Sequence, residues 1–289
     1  MNMTTTWFMQ SRGRLSHQDY SWAPATAPGA GLPSPENLLA RGCGGLSISD
    51  IIDDTKSSLL LYTLRERPDR QQTWILLMTG LHSAVTTESD HMHRDIRVSV
   101  MGAGTGPAPP GELAAVACLF LTGGLQDGVP VLYGLRDDKG FAVDGEAWAE
   151  VIARATRLAV PPADGVPRPS AVSLHTDSPA NRRRAAEMLV YLTSRVATGG
   201  FAGKARLVGT DARPLLVVTS FLGAESLKSL MPWCGLSERV TGQELAHVSK
   251  ERGWNVVRSR TVKSVPLGLA VYAVLTVLAA IGAMIVLLL

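Results

Sequence analysis

The chain has 289 residues, of which 28 are Lys or Arg and 25 Asp or Glu, a formal net charge of +3. That small excess is dispersed, with no basic run interleaved with aromatics, which excludes the electrostatic footprint of a nucleic-acid binder. Cys43, Cys118 and Cys234 are odd in number and lack metal-ligand spacing, which excludes a disulfide framework or a zinc site and suits a reducing compartment.

Residues 1–20 are polar and lack the basic patch and apolar run of a signal peptide. Residues 1–45 carry Pro24, Pro28, Pro33 and Pro35 among Ala, Gly, Ser and Thr, so a disordered or loosely ordered head is expected there. Asp50, Asp53 and Asp54 would share one face of a helical turn, and three carboxylates can hold a hard cation. With no second acidic cluster to complete a site, a solvated face is expected instead. Residues 59–64 and 74–78 are apolar, β-compatible runs parted by Pro68-Asp69, which reads as a strand pair. His91 and His93 would point to one side of a strand, a geometry that metals use, but their neighbours are irregular and polar and imply a loop. No metal and no cofactor is assigned.

From residue 96 the order of elements repeats. Residues 96–100 read as a strand, 111–121 as a helix, and 129–135 with 141–143 as a hairpin turning on Asp137-Asp138-Lys139-Gly140. The same order returns in 171–174, 179–197 and 206–208 with 215–219. Val98-Ser99-Val100 matches Val172-Ser173-Leu174 at an offset of 74 positions. A helix then closes each half, 144–158 capped by Asp144 and 243–252 capped by Thr241. The expected fold is α/β with a mixed sheet and α+β character, a duplicated β-α-β-β-α unit. Its first half, with the preceding hairpin, spans 46–168 and its second 169–263, joined through Pro161-Pro162 and Pro167-Arg168-Pro169.

Residues 265–289 run 25 positions without a charge. About 20 residues of helix cross a hydrocarbon core, so a transmembrane helix is expected. Arg252, Arg258, Arg260 and Lys263 precede it and no Lys or Arg comes after, which places the N-terminal part in the cytoplasm by the positive-inside rule. The expectation is a single-pass, tail-anchored membrane protein whose first partner is the lipid bilayer.

Three stretches carry candidate chemistry. Met101-Gly102-Ala103-Gly104-Thr105-Gly106-Pro107 superficially resembles a Rossmann phosphate loop, but Pro107, Pro109 and Pro110 delay the helix, the third glycine is missing and no acidic residue follows at the usual distance. A plain strand–helix connection is expected. Trp233-Cys234-Gly235-Leu236-Ser237 looks like a thioredoxin-type loop with its second cysteine replaced by Ser237. Lying late in the chain rather than after a first strand, it reads as a packing Trp beside an unreactive thiol. The third stretch is the candidate site: Ser178 as N-cap, Pro179 at the first helical position, and Arg182, Arg183 and Arg184 in the first turns of a helix. Cations there oppose the helix dipole, and a sequence that keeps them beside free backbone N–H groups is suited to hold an anion.

Ser178, Arg183 and Arg184 are therefore the expected ligand-binding residues, with Arg183 or Arg184 facing the strand ends. The expected function is a membrane-anchored cytoplasmic adaptor or sensor that binds an anionic small molecule or an acidic protein, with no nucleic-acid role. One alternative is a tethered enzyme acting on a nucleotide or phosphorylated substrate. Another is a subunit of a larger membrane assembly, using the small-residue face of Ala279 and Ala283.

Overall fold

The structure, a computed structural model, describes residues 5–27, 32–40, 47–65, 72–84, 89–106, 109–159, 173–196, 212–230 and 232–241. All of them belong to one compact unit, residues 1–248. It is a mixed α/β fold with a large mixed sheet, and six helices among the described residues. In chain order the elements are β1 (Thr6–Ser11), β2 (Ser21–Pro24), α1 (Pro35–Ala40), α2 (Ile48–Ile51), β3 (Ser58–Arg65), β4 (Gln72–Leu81), β5 (Val98–Thr105) and α3 (Gly111–Leu121). There follow β6 (Val131–Tyr133), β7 (Phe141–Val143), α4 (Gly145–Leu158), β8 (Ser173–Thr176), α5 (Pro179–Val196), β9 (Ala212–Thr219), α6 (Ala224–Leu230) and β10 (Cys234–Ser237).

Eight strands form the main sheet in the order β2-β1-β5-β4-β3-β9-β10-β8, and β6 and β7 form a separate ribbon. Every pair from β2 to β9 is antiparallel, while β10 runs parallel to both β9 and β8. Helices cover both faces, so β3 and β4 read as continuous apolar runs instead of alternating ones. Leu59, Leu61, Trp74, Leu76 and Met78 face α3, α4 and α5. Leu60, Tyr62, Leu64, Ile75 and Leu77 face Leu38 of α1, Ile48 and Ile51 of α2, and Leu227 and Leu230 of α6. The expected strand pair is β3–β4, in register Leu61 to Leu76.

Two prolines sit where a sheet tolerates the lost N–H donor. Pro24 ends the edge strand β2. Pro214 lies at the β3–β9 irregularity between Leu61 and Tyr62, before β10 begins to pair with β9 at Leu216.

Of the loose head expected over residues 1–45, the strands β1 and β2 are the correction. β1 is an internal strand between β2 and β5, and Trp7 and Met9 are wholly buried. Gly102 and Gly104 of the resembled phosphate loop also belong to the core. Residues 101–105 continue β5, and a Cβ on Gly102 would stand 2.5 Å from Leu113 Cδ2 and 2.6 Å from Trp7 Cζ3. The missing side chain lets α3 and the Trp7 ring close on the sheet, which is a packing role.

The two halves share one sheet, joined where β3 pairs β9. β5 lies antiparallel between β1 and β4, while β8 is a parallel edge strand beside β10. Residues 206–208 and 243–252, which would complete the repeat, lie outside the described residues, as do the linker at 161–169 and Cys43. No helix among the described residues is long and apolar enough to cross a membrane, and residues 265–289 also lie outside them.

Candidate functional site

The parallel strands β8, β9 and β10 end on the same edge of the sheet. From β8 the chain enters α5, whose Ala185, Ala186 and Leu189 pack on one face; from β9 it enters α6, which packs on the other. β10 lies between these two strands, and ligands of α/β sheets are placed outside such carboxyl ends. Ser178 caps α5, its Oγ accepting from Asn181 N at 3.2 Å. The wholly buried Asn181 locks the turn by donating from Nδ2 to Thr176 O at 2.8 Å, and Asp177 N donates to Ser237 O at 3.0 Å.

Beside this turn lies a cavity of about 540 Å³. Its walls are the start of α5 (Asp177, Ser178, Pro179, Arg182, Arg183), the end of α3 with its following turn (Phe120 to Gly123, Leu125, Gln126), the end of β4 (Gly80 to His82), Ser57 and Glu238. The structure brings Ser178 and Arg183 to it together. Arg184 does not line it and makes an interaction of its own.

The arginine nearest the strand ends is Arg182, in place of the expected Arg183 or Arg184. Its Nε donates to Asp177 Oδ1 at 2.6 Å and its Nη2 to Asp177 Oδ2 at 2.7 Å, a two-pronged fork on a buried carboxylate. The same guanidinium donates to Ser57 Oγ and O at 3.3 and 3.2 Å and lies 5.9 Å from the centre of the Phe120 ring. Arg182 is thus spent on structure, whereas Arg183 is exposed on the cavity wall. These cations oppose the dipole of α5, but they stand against the carboxyl end of α3, whose terminal carbonyls favour positive charge. The neighbouring helix offsets a cost that α5 alone would carry.

The remaining candidates resolve into structural roles. Asp50 closes a capping box on α2 with Ser47, and Asp54 pairs with Arg97 at 3.4 Å. Asp53 accepts from Thr55 Oγ1 at 2.6 Å and Ser220 Oγ at 3.0 Å, and the Thr55 hydroxyl leads the groups that hold its carboxyl below the usual range. The three carboxylates do not converge, and no group of three or more His, Cys, Asp or Glu able to hold a metal occurs among the described residues. His91 and His93 lie in a turn organised by Asp90, which accepts from Met92 N, Arg94 N and Arg94 Nε at 2.8, 3.0 and 2.9 Å. The Arg94 backbone N–H leads the contacts that lower the Asp90 carboxyl. Cys234 begins β10, a strand flanked on both sides, and is wholly buried, so it lacks the helix start that activates a thioredoxin-type thiolate. Burial pushes the Cys118 thiol up to about 12.

Asp177 and Asn181 are the candidate-site residues that sequence reasoning missed, and Arg182, named among the three arginines, was not singled out. The Asp177–Arg182 separation of five positions joins a loop residue to a helix side, a pairing that helical periodicity does not single out. The chain matches no family model, no curated protein and no solved structure.

Proposed function

We propose that this chain is a membrane-held binding module whose cavity at the start of α5 receives the anionic group of a small ligand. Residues 265–289 hold it at the bilayer, and the basic residues before them keep the N-terminal part on the cytoplasmic side. The observation that carries the reading is the cavity: about 540 Å³ falls within the roughly 300–1,000 Å³ of small-molecule sites. An exposed Arg183 stands on its wall beside the capped helix start. A tethered enzyme would use the same cavity, but Asp177 is neutralised by Arg182, Glu238 is paired with Lys56 at 3.1 Å, and Ser178 is a cap. Polar groups committed in this way support binding without chemistry.

The test is calorimetric titration of the full chain in lipid nanodiscs with inorganic phosphate, pyrophosphate and nucleotides. Binding by one of them, weakened at least tenfold by Arg183→Glu with an unchanged unfolding temperature, is the expected result. An Arg183→Glu variant that binds as the parent does would overturn the site, and turnover of a bound nucleotide would replace the sensor reading with the enzymatic one. The anchor has its own test, since the full chain is expected to sediment with membranes and resist carbonate extraction. The duplicated unit is a separate proposal about descent; it requires residues 170–252 to superimpose on 95–158 in strand order and hand, and a crystal structure of the whole chain with different orders would end it.

A further inference from the structure

We propose that the loops 12–20 and 90–97 form a second membrane contact, a face that lies on the bilayer surface and orients the domain. The inference rests on the reading of residues 265–289 as the anchor. Leu15, Tyr20 and Met92 are 52%, 44% and 62% exposed, and hydrogen bonds hold their loops together. His91 N donates to Arg14 O at 3.1 Å, Arg97 N to Tyr20 Oη at 3.3 Å, and the Arg12 guanidinium lies 5.9 Å from the Tyr20 ring centre.

This is a built surface. Asp90 receives two backbone N–H groups and the Arg94 side chain, with Arg12 a further 3.7 Å contact, and the turn includes His93 at a φ of +58°. A non-glycine residue in that conformation is uncommon and persists where its surroundings enforce it. The result is a rigid turn that carries Met92 on its outside. An apolar tip beside a tyrosine and the exposed Arg14 and Arg94 is the composition of a monotopic lipid contact: the apolar side chains enter the headgroup boundary, the tyrosine sits at the interface, and these two arginines lie at the level of the lipid phosphates. Four arginines, Arg12, Arg14, Arg94 and Arg97, stand among four aspartates, Asp19, Asp54, Asp90 and Asp95, with Arg12 and Arg94 on the buried Asp90 and Arg97 on Asp54 at 3.4 Å, so the face is neutral overall and its hold on lipid is apolar.

Topology puts this face at the end of the sheet from which the described chain departs. β1 is antiparallel to β5, and the alternation continues through β4 and β3 to β9 and its parallel neighbour β10. The carboxyl end of β1, the amino end of β5 and the carboxyl end of β10 therefore share one end of the sheet, and the described chain leaves that end at Thr241. Residues 242–264 can extend at most about 80 Å, against roughly 34 Å across eight strands, so the connection permits the contact without forcing it. A tether of this kind supplies millimolar effective concentration, and a weak surface suffices.

The experiment uses the full chain with Cys43→Ser in phosphatidylcholine–phosphatidylglycerol nanodiscs, spin-labelled at Leu15→Cys, Met92→Cys or, as control, Leu158→Cys on α4. Cys118 and Cys234 are buried and spare the label. Electron paramagnetic resonance then compares collisions with oxygen, which concentrates in lipid, and with a water-soluble nickel chelate. At positions 15 and 92 the oxygen-to-nickel ratio is expected to exceed that at 158 severalfold, and Leu15→Glu is expected to lower the ratio at 92. Ratios at 15 and 92 equal to that at 158, in chains that co-purify with discs, overturn the docking face alone. Chains that stay out of the discs overturn the anchor reading, and the docking face falls with it.

Discussion

The antiparallel side of the sheet, β2-β1-β5-β4-β3, and its parallel side, β9-β10-β8, do different work. The antiparallel side holds the largest wholly buried side chains, with Trp7, Trp74 and Tyr62 on its strands, and its strands are buried on both faces. On the parallel side β8 and β10 have four residues each; β8 and β9 run into helices, and the start of α5 supplies the charged wall of a cavity whose other walls come from α3, the end of β4 and Ser57. A pair of aspartates repeats the contrast. Asp90 and Asp177 are each gripped by an arginine, but Asp90 closes a turn on itself, while Asp177 holds Arg182 at a cavity wall. Parallel pairing gathers carboxyl ends on one edge and so gathers helix starts; antiparallel pairing spreads chain reversals over both ends and leaves the strands to packing.

If stability resides on the antiparallel side, the largest loss should come from it. Trp7→Ala removes a wholly buried ring packed edge-on to Trp148 at 5.2 Å and should cost about 3–5 kcal/mol, read by urea unfolding, with ligand affinity of the folded fraction unchanged. Arg182→Ala should cost less, about 1–3 kcal/mol, because Asp177, 7% exposed, loses its fork. Adding Asp177→Asn should recover part of that loss, and an additive double variant would deny the pairing its role.

Acid should act through the turn at Asp90. Its carboxyl is lowered from 3.8 in the folded chain, so the unfolded chain binds protons first, and the contribution of Asp90 is full above that value and lost as pH falls through the lower folded one. Asp90→Asn should therefore flatten the decline in stability below about pH 4, measured by unfolding at a series of pH values. The smallest effect separates two adjacent residues: Arg184→Glu should leave anion affinity within about twofold of the parent, where Arg183→Glu removes it, since only Arg183 lines the cavity.

Legibility in the sequence followed the same division. β3 and β4 could be read because long apolar runs need burial whatever their partners. β1 could not, since Trp7-Phe8-Met9 is a three-residue apolar run between polar stretches, and burial on both faces removes the alternation that marks a strand. Asp144 as the cap of α4 was legible and holds, accepting from Ala147 N at 3.0 Å. At the site, Ser178 as cap was readable from local chemistry. The choice among three adjacent arginines depends on where α3 ends, which is a tertiary fact, and no spacing within α5 encodes it.

The β3–β9 pairing has a consequence for biosynthesis. It joins Leu59 to Val218, so β3 emerges from the ribosome long before the strand that covers its free edge. At about 5–20 residues per second, that partner follows some 8–30 s later. During the interval Leu59, Leu60, Leu61 and Tyr62 line an open, apolar strand edge, the surface on which chains recruit one another into aggregates. Yield in cells should then depend on chaperone occupancy of nascent chains longer than about 80 and shorter than about 220 residues, and slower translation should lower it.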